Sequence, residues 1–328
     1  MKILILSHDE VKQLLPMSEC IMVMEEALSA LARGEMVQPL RTALRPSDAK
    51  GLIAMMPSYR SGADSVFGLK AICVFPDNPK LGKDAHQGGV LLFSGETGEP
   101  LAMMNASAIT EIRTAAVSGV ATRLLALEDA CDLAIIGAGV QARSHLAAMA
   151  CVRPLTCARI ASRTLPHAQA LVNELQPSYT FPLKAVASAQ AAVTGAEIIV
   201  TATNSWEPVL ERDWLAPGTH INAVGTHSRS AREIDTATMA AASLFVDARE
   251  SALNEAGDYL LAAREGAIGP DHIRAELGEL LIGAAIGRTT ADEITIFKSL
   301  GLAVEDLAAA AYLYRKAQPE RRGAWVEF

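Results

Sequence analysis

The chain has 328 residues, half of them hydrophobic and 5% aromatic, enough for one large or two medium domains with a buried core. That profile points to a soluble α/β enzyme and away from a β-sandwich or coiled coil. With 37 acidic against 29 basic residues the net charge is −8, and no Lys/Arg cluster overrides it, which excludes a nucleic-acid or anionic-membrane surface.

The opening "MKILILSHDE" is a short apolar run cut off by polar residues, too short for a signal peptide, and predicts a first strand. No apolar segment approaches the roughly 20 residues of a membrane span. Residues 17–35 predict an amphipathic helix, with Ser18 as N-cap and Gly34 as its stop. Strand-like runs follow: "LRTALRPS", "LIAMMPSY" and "VFGLKAICVFP". A hairpin is expected in "GVLLFSGETGEPLAMMN", turned by Gly-Glu-Thr-Gly. Next, "ITEIRTAAVSGVAT" sets Arg113 among small and apolar neighbours, with Glu111 its only charged companion nearby. A guanidinium is not deprotonated in a protein, so Arg113 requires an anion: a bound ligand, Glu111, or a carboxylate from the C-terminal part.

Near residue 130 strands begin to alternate with helices, which predicts a parallel sheet with right-handed crossovers. "GAGVQA", residues 137–142, fits G-x-G-x-x-A between a strand and a helix. There Gly137 permits the turn, Gly139 lets the backbone approach a pyrophosphate, and Ala142 lets the helix pack closely. About 20 residues on, where an acidic side chain would hold the ribose of NAD, the chain reads Ser162-Arg163-Thr164. A cation with two hydroxyls suits the 2′-phosphate of NADP, so NADP(H) is favoured, with NAD(H) the alternative. "TATNS" and "AVGT" end two later strands, placing Thr203 and Ala223–Thr226 at the sheet's carboxyl edge. A strong helix, "VEDLAAAAYLYRKA", and a last strand in "GAWVEF" close the chain. The five scattered cysteines include no Cys-x-x-Cys pair, so free thiols in a reducing cytoplasm are expected, with no metal site.

These pieces resemble the ornithine cyclodeaminase/mu-crystallin family over essentially the whole length. The blocks are "QPLRT", "MMPSY", "GLKAICVFPDNPKLG", "HQGGVLLFSGETGEPLA", "ITEIRTAAVSGVAT", "IIGAGVQARSH", "INAVGTHSRSAREID" and "ADEITIFKSLGLAVEDLAAA". The resemblance implies an α/β fold: a Rossmann-type doubly wound sheet over 121–299, and a strand-rich α+β substrate and dimerisation domain over 1–120 with 300–328. It implies a homodimer and a small imino or amino acid substrate. Arg113, Lys70 and Arg41 would hold the substrate carboxylate, with Arg45 able to replace Arg41 and Lys70 alternatively facing solvent. His86 would lie in a loop over the site. Lys298, as a substrate contact, and Ser299 would approach the nicotinamide end, or else form the first turn of the last helix. The expected cofactor set is Thr114, Gly137, Gly139, Val140, Gln141, Ser162, Arg163, Thr164, Thr203, Val224 and Gly225.

The pattern breaks at His227, where cyclodeaminases of the family carry an aspartate that assists proton transfer. Together with Ser162-Arg163-Thr164, this predicts NAD(P)H-dependent reduction of an α-imino acid to the L-amino acid. The substrates in view are ketimines, cyclic imines such as 1-pyrroline-2-carboxylate, and linear imino acids. The imine proton would pass through Lys70 or His227. A second substrate carboxylate, as in iminosuccinate, would call on Arg229 or Arg45. The alternatives are an NAD-dependent ammonia-releasing cyclodeaminase or amino acid dehydrogenase, and a non-catalytic mu-crystallin-like binding protein.

Overall fold

The computed structural model describes all 328 residues, the side chain of Pro79 excepted, and divides them into two units. One is Met1–Arg113 with Gly301–Phe328, the other Thr114–Leu300.

In the first unit β1 (Lys2–Leu6) enters α1 (His8–Leu14) through a reciprocal cap, Glu10 N–H on Ser7 Oγ and Ser7 N–H on the Glu10 carboxylate. Then comes α2 (Met17–Ala32), where Pro16 and not Ser18 stands at the cap. The fixed proline φ starts the helix unaided, leaving Ser18 inside its first turn. Gly34, at φ +74°, ends it as expected. Five strands follow the short β2 (Met36–Val37): β3 (Thr42–Leu44), β4 (Leu52–Arg60), β5 (Val66–Val74), β6 (His86–Ser94) and β7 (Pro100–Asn105). The β6–β7 hairpin turns through the expected Gly-Glu-Thr-Gly, with Gly98 at φ +74°. Between Arg113 and Thr114 the division falls inside α3 (Ala106–Leu125).

The second unit alternates strand and helix: β8 (Asp132–Ile136), α4 (Val140–Val152), β9 (Cys157–Ala161), α5 (Leu165–Leu175), β10 (Leu183–Val186), α6 (Ala189–Val193) and β11 (Ile198–Thr201). It continues with β12 (His220–Ala223), α7 (Thr236–Ala241), β13 (Ser243–Val246), α8 (Arg249–Glu255), α9 (Gly257–Arg264), β14 (Ile273–Glu276), α10 (Leu277–Leu281) and β15 (Thr295–Lys298). All eight strands are parallel, in the order β10-β9-β8-β11-β12-β15-β13-β14. Strand order reverses between β8 and β11, the position at which an open α/β sheet holds its ligand. The central strands are buried along their length, as parallel strands covered on both faces must be. Lys298 therefore ends a strand and does not begin the last helix. A four-residue buried run shows no period that separates it from a helical turn.

The chain ends with α11 (Ala303–Glu320) and β16 (Ala324–Glu327), which pairs antiparallel with β1. The first unit's sheet runs β16-β1-β7-β6-β5-β4-β2, with β3 added on β4. On β5, Gly68, Lys70 and Ile72 face inward; α11 packs on that face, and α2 packs against α11. A Cβ at Gly68 would lie 2.8 Å from Leu307 Cδ1, so the bare glycine is what lets α11 come this close. Among the described residues no helix is long and apolar enough to cross a membrane.

Leu307 is buried under this contact. Leu307→Ala should cost about 2–5 kcal/mol, read as a lower urea midpoint with little change in slope. A midpoint within error of the parent would show that α11 is not held here.

Candidate functional site

In the first unit, alternation along β5 sends Lys70 inward, not to solvent, and leaves it 3% exposed. Its Nζ donates to Asp306 Oδ1 and Oδ2, at 3.2 and 3.1 Å. Arg113, 4% exposed on α3, donates from Nε to Asp306 Oδ1 at 3.0 Å and from Nη1 to Glu305 Oε2 at 2.7 Å. The protein anions that answer Arg113 thus come from the first turn of α11, whereas Glu111 pairs with Lys12 at 3.0 Å. Both α11 carboxylates are themselves buried, so each ion needs the others in place.

Arg41 joins through Gly301, whose carbonyl accepts from Arg41 Nη2 at 3.0 Å. Gly301 has φ +77°, and a Cβ there would stand 2.5 Å from Arg113 Nη1. Only glycine lets the backbone lie against that guanidinium in this conformation. Arg45, the alternative to Arg41, is exposed. Burial lowers the pKa of Lys70 to about 8, with the charges of Arg113 and Arg41 adding to the fall and Asp306 opposing it. His86 lies at the start of β6, where its carbonyl accepts from Ser107 Oγ. Partial desolvation of its ring, helped by the charges of Lys70 and Arg113, holds its pKa below the usual histidine value.

In the second unit, β8 runs into the glycine turn. Gly137 adopts φ +126°, and a Cβ there would lie 2.3 Å from the Ala202 carbonyl. Gly139 caps α4 without a side-chain bond, and nothing lies within 4 Å of where its Cβ would be. Val140 is exposed beside it, and Ala142 is buried. The first N–H groups of this 13-residue helix are therefore open to an anion, and the turn fits a dinucleotide pyrophosphate. Gln141 is tied from behind, because His145 Nδ1–H donates to its carbonyl at 2.7 Å. Burial pushes the His145 pKa to about 4, so the ring is neutral, and its Nε2 accepts from Ser118 Oγ. After β9, Ser162 Oγ donates to the Thr164 carbonyl, and Arg163 and Thr164 are exposed. Thr114, on α3, is buried.

At the ends of β11 and β12, Thr203 and Gly225 both donate to the buried carboxylate of Glu233. Val224 is buried, and His227 in the next loop is exposed. Lys298 is fully enclosed: its Nζ pairs with Asp258 Oδ2 at 2.9 Å and donates to the Thr226 carbonyl at 2.9 Å. The substrate contact expected of Lys298 thus gives way to an internal ion pair that holds a loop. Ser299 is buried in the same strand end.

Sequence reasoning did not single out Glu305, Asp306, Glu233 or Asp258. Adjacent acids in a first turn serve any helix dipole, and "REID" carries no spacing that marks a buried acceptor. The one available pointer was the cation of Arg113, whose demand for a carboxylate left the C-terminal part as a source. Among the described residues no group of three or more His, Cys, Asp and Glu side chains is gathered to hold a metal.

Residues 1–321 match the model of the ornithine cyclodeaminase/mu-crystallin family. A Delta(1)-pyrroline-2-carboxylate reductase of Bacillus cereus is 39% identical over 326 residues, 99% of this chain and 100% of that protein. The ketimine reductase mu-crystallin of Mus musculus is 38% identical over 313 residues, 94% of this chain and 96% of its own. Among solved structures, Thermococcus litoralis Delta(1)-pyrroline-2-carboxylate reductase in complex with NADH and L-proline superposes with a TM-score of 0.95. That pair is 39% identical, with 99% of this chain and 100% of the other covered.

The lowered pKa of Lys70 sets a pH dependence. Between about 8 and the ordinary 10.5, the unfolded chain holds a proton at this lysine that the folded chain has lost. Stability therefore rises with pH through that window as the penalty of a buried ammonium is relieved. Comparison of urea midpoints for the parent and Lys70→Met should show the parent gaining relative to the variant between pH 7.5 and 9.5. Parallel curves would mean that Lys70 titrates as if exposed.

Proposed function

The chain belongs to the ornithine cyclodeaminase/mu-crystallin family, and on that premise we propose that it is an NAD(P)H-dependent reductase converting a small α-imino acid to the L-amino acid. The cyclic imine 1-pyrroline-2-carboxylate is the first substrate to test, given the relatives that carry its name. The observation that carries this reading is the buried cluster of the first unit. Arg41, Lys70 and Arg113 gather beside Glu305 and Asp306, three cations in one patch of the first unit. Guanidinium forks and an ammonium are the groups that recognise a small carboxylate.

A reduced nicotinamide dinucleotide, its pyrophosphate held at the open end of α4, would supply the hydride that reduction of an imine carbon requires. The nitrogen then needs one proton, which Lys70 provides: its ammonium is kept by Asp306 yet is made a readier acid by burial. His227 is exposed and stands where cyclodeaminases have a carboxylate, which favours imine reduction over processing of a dibasic amino acid. NADPH is the preferred donor, because exposed Arg163 follows β9 with no acidic residue beside it. A homodimer is part of the proposal. It is supported by Met55, Phe67 and Met103, exposed on the face of the first unit's sheet opposite α11.

The deciding assay follows loss of NADPH and NADH absorbance with 1-pyrroline-2-carboxylate and linear imino acids, and ammonia release from ornithine. Imine turnover without ammonia release is expected; ornithine turnover with silence on every imine would falsify the reductase reading. Arg113→Lys should lower kcat/KM by about a hundredfold, because the planar fork is lost while the charge stays. Arg163→Ala should raise the KM for NADPH by about tenfold and leave that for NADH unchanged. With Lys70 as the acid, kcat/KM falls as pH rises above about 8, and a flat profile would remove it from that role.

A further inference from the structure

Glu233 has no exposed surface, and four donors converge on its carboxylate. Oε1 accepts from the Thr203 N–H at 2.6 Å and from Thr203 Oγ1 at 2.7 Å. Oε2 accepts from Thr201 Oγ1 at 2.9 Å and from the Gly225 N–H at 2.7 Å. Thr201 ends β11 and Thr203 lies just past it, and Gly225 lies just past β12. A carboxylate has about four lone-pair positions, and these bonds fill them; burial raises the Glu233 pKa, opposed by the charge of Lys298 and the Thr203 donors.

The two strand ends also touch directly. A Cβ on Gly225 would lie 2.1 Å from the Thr203 carbonyl and 2.5 Å from Glu233 Oε1, so glycine is the residue this approach admits. Glu233 is fixed in turn. Its own N–H and that of Ile234 donate to Asp258 Oδ1, at 2.7 and 3.0 Å. Asp258 Oδ2 meets Lys298 Nζ, which also holds the Thr226 carbonyl. The segment after β12 is thus gripped at Gly225 by Glu233 and at Thr226 by Lys298. Burying an acid is costly and is best repaid by fixing one geometry among several. The geometry fixed here is the carboxyl edge of the sheet, beside the strand-order reversal where a dinucleotide lies.

We infer that Glu233 is a positioning residue for the dinucleotide, setting Thr203 and Gly225 as the ledge on which the nicotinamide half rests. The adenosine and phosphates depend instead on the 137–142 turn and the 162–164 loop. This rests on the reading that the second unit binds a nicotinamide dinucleotide. Glu233→Gln puts an NH2 group against N–H and O–H donors, so at least one strand end is released at unchanged side-chain volume.

Calorimetric titration of the full chain with NADPH and with 2′-phospho-ADP-ribose, which lacks only the nicotinamide, tests the assignment. Glu233→Gln should weaken NADPH about tenfold and 2′-phospho-ADP-ribose less than about twofold. Thr201→Val, which removes one donor and keeps the shape, should do the same at about threefold. Unchanged NADPH affinity, or equal loss for both ligands as a merely structural role would give, overturns the inference. If Glu233→Gln does not fold, Thr201→Val decides by the same two outcomes. Parent protein that binds neither ligand instead overturns the premise, a result read before any variant is made.

Discussion

Asp306 is the point on which the first unit turns. One buried carboxylate accepts from Lys70 and Arg113 at once, and its neighbour Glu305 takes a second nitrogen of the same guanidinium. None of these ions has water to fall back on, and loss of one partner from such a set typically costs about 3–5 kcal/mol. The cluster therefore dictates structure around it. The glycine at 68 lets α11 approach the sheet, the glycine at 301 lets the backbone lie against Arg113, and the alternation of β5 aims a lysine inward. Each is a local choice that makes sense only once the ions are in place.

Buried acids organise the second unit as well, with different donors. There one buried lysine serves Asp258, and Glu233 is served almost wholly by backbone and hydroxyl donors. The first cluster brings cations together around acids; the second arranges N–H groups around acids. The first suits recognition of an anion, the second suits holding loops at the ligand edge of a sheet.

Much of this was legible in the chain. The glycine turn, the parallel alternation after residue 130 and the β6–β7 hairpin are local patterns, and each stands where the residues put it. Ser18 lost the cap to Pro16 because a fixed φ needs no side-chain bond, and TIFK folded as β15 because a short buried run has no readable period. Lys298 looked like a cation for the substrate and became an internal tie. Its sequence neighbours report burial, not which carboxylate shares it.

By itself the sequence determined that Arg113 must meet an anion, since a guanidinium keeps its charge in any surroundings. It also determined that a strand, a glycine turn and a helix present open N–H groups at Gly139. Which anion meets Arg113 was decided by tertiary structure alone. Glu305 and Asp306 lie nearly two hundred residues away along the chain and reach it only because α11 packs on β5. Long-range pairing of this kind leaves no period or spacing in the chain, because it depends on where two faces meet and not on what precedes either of them.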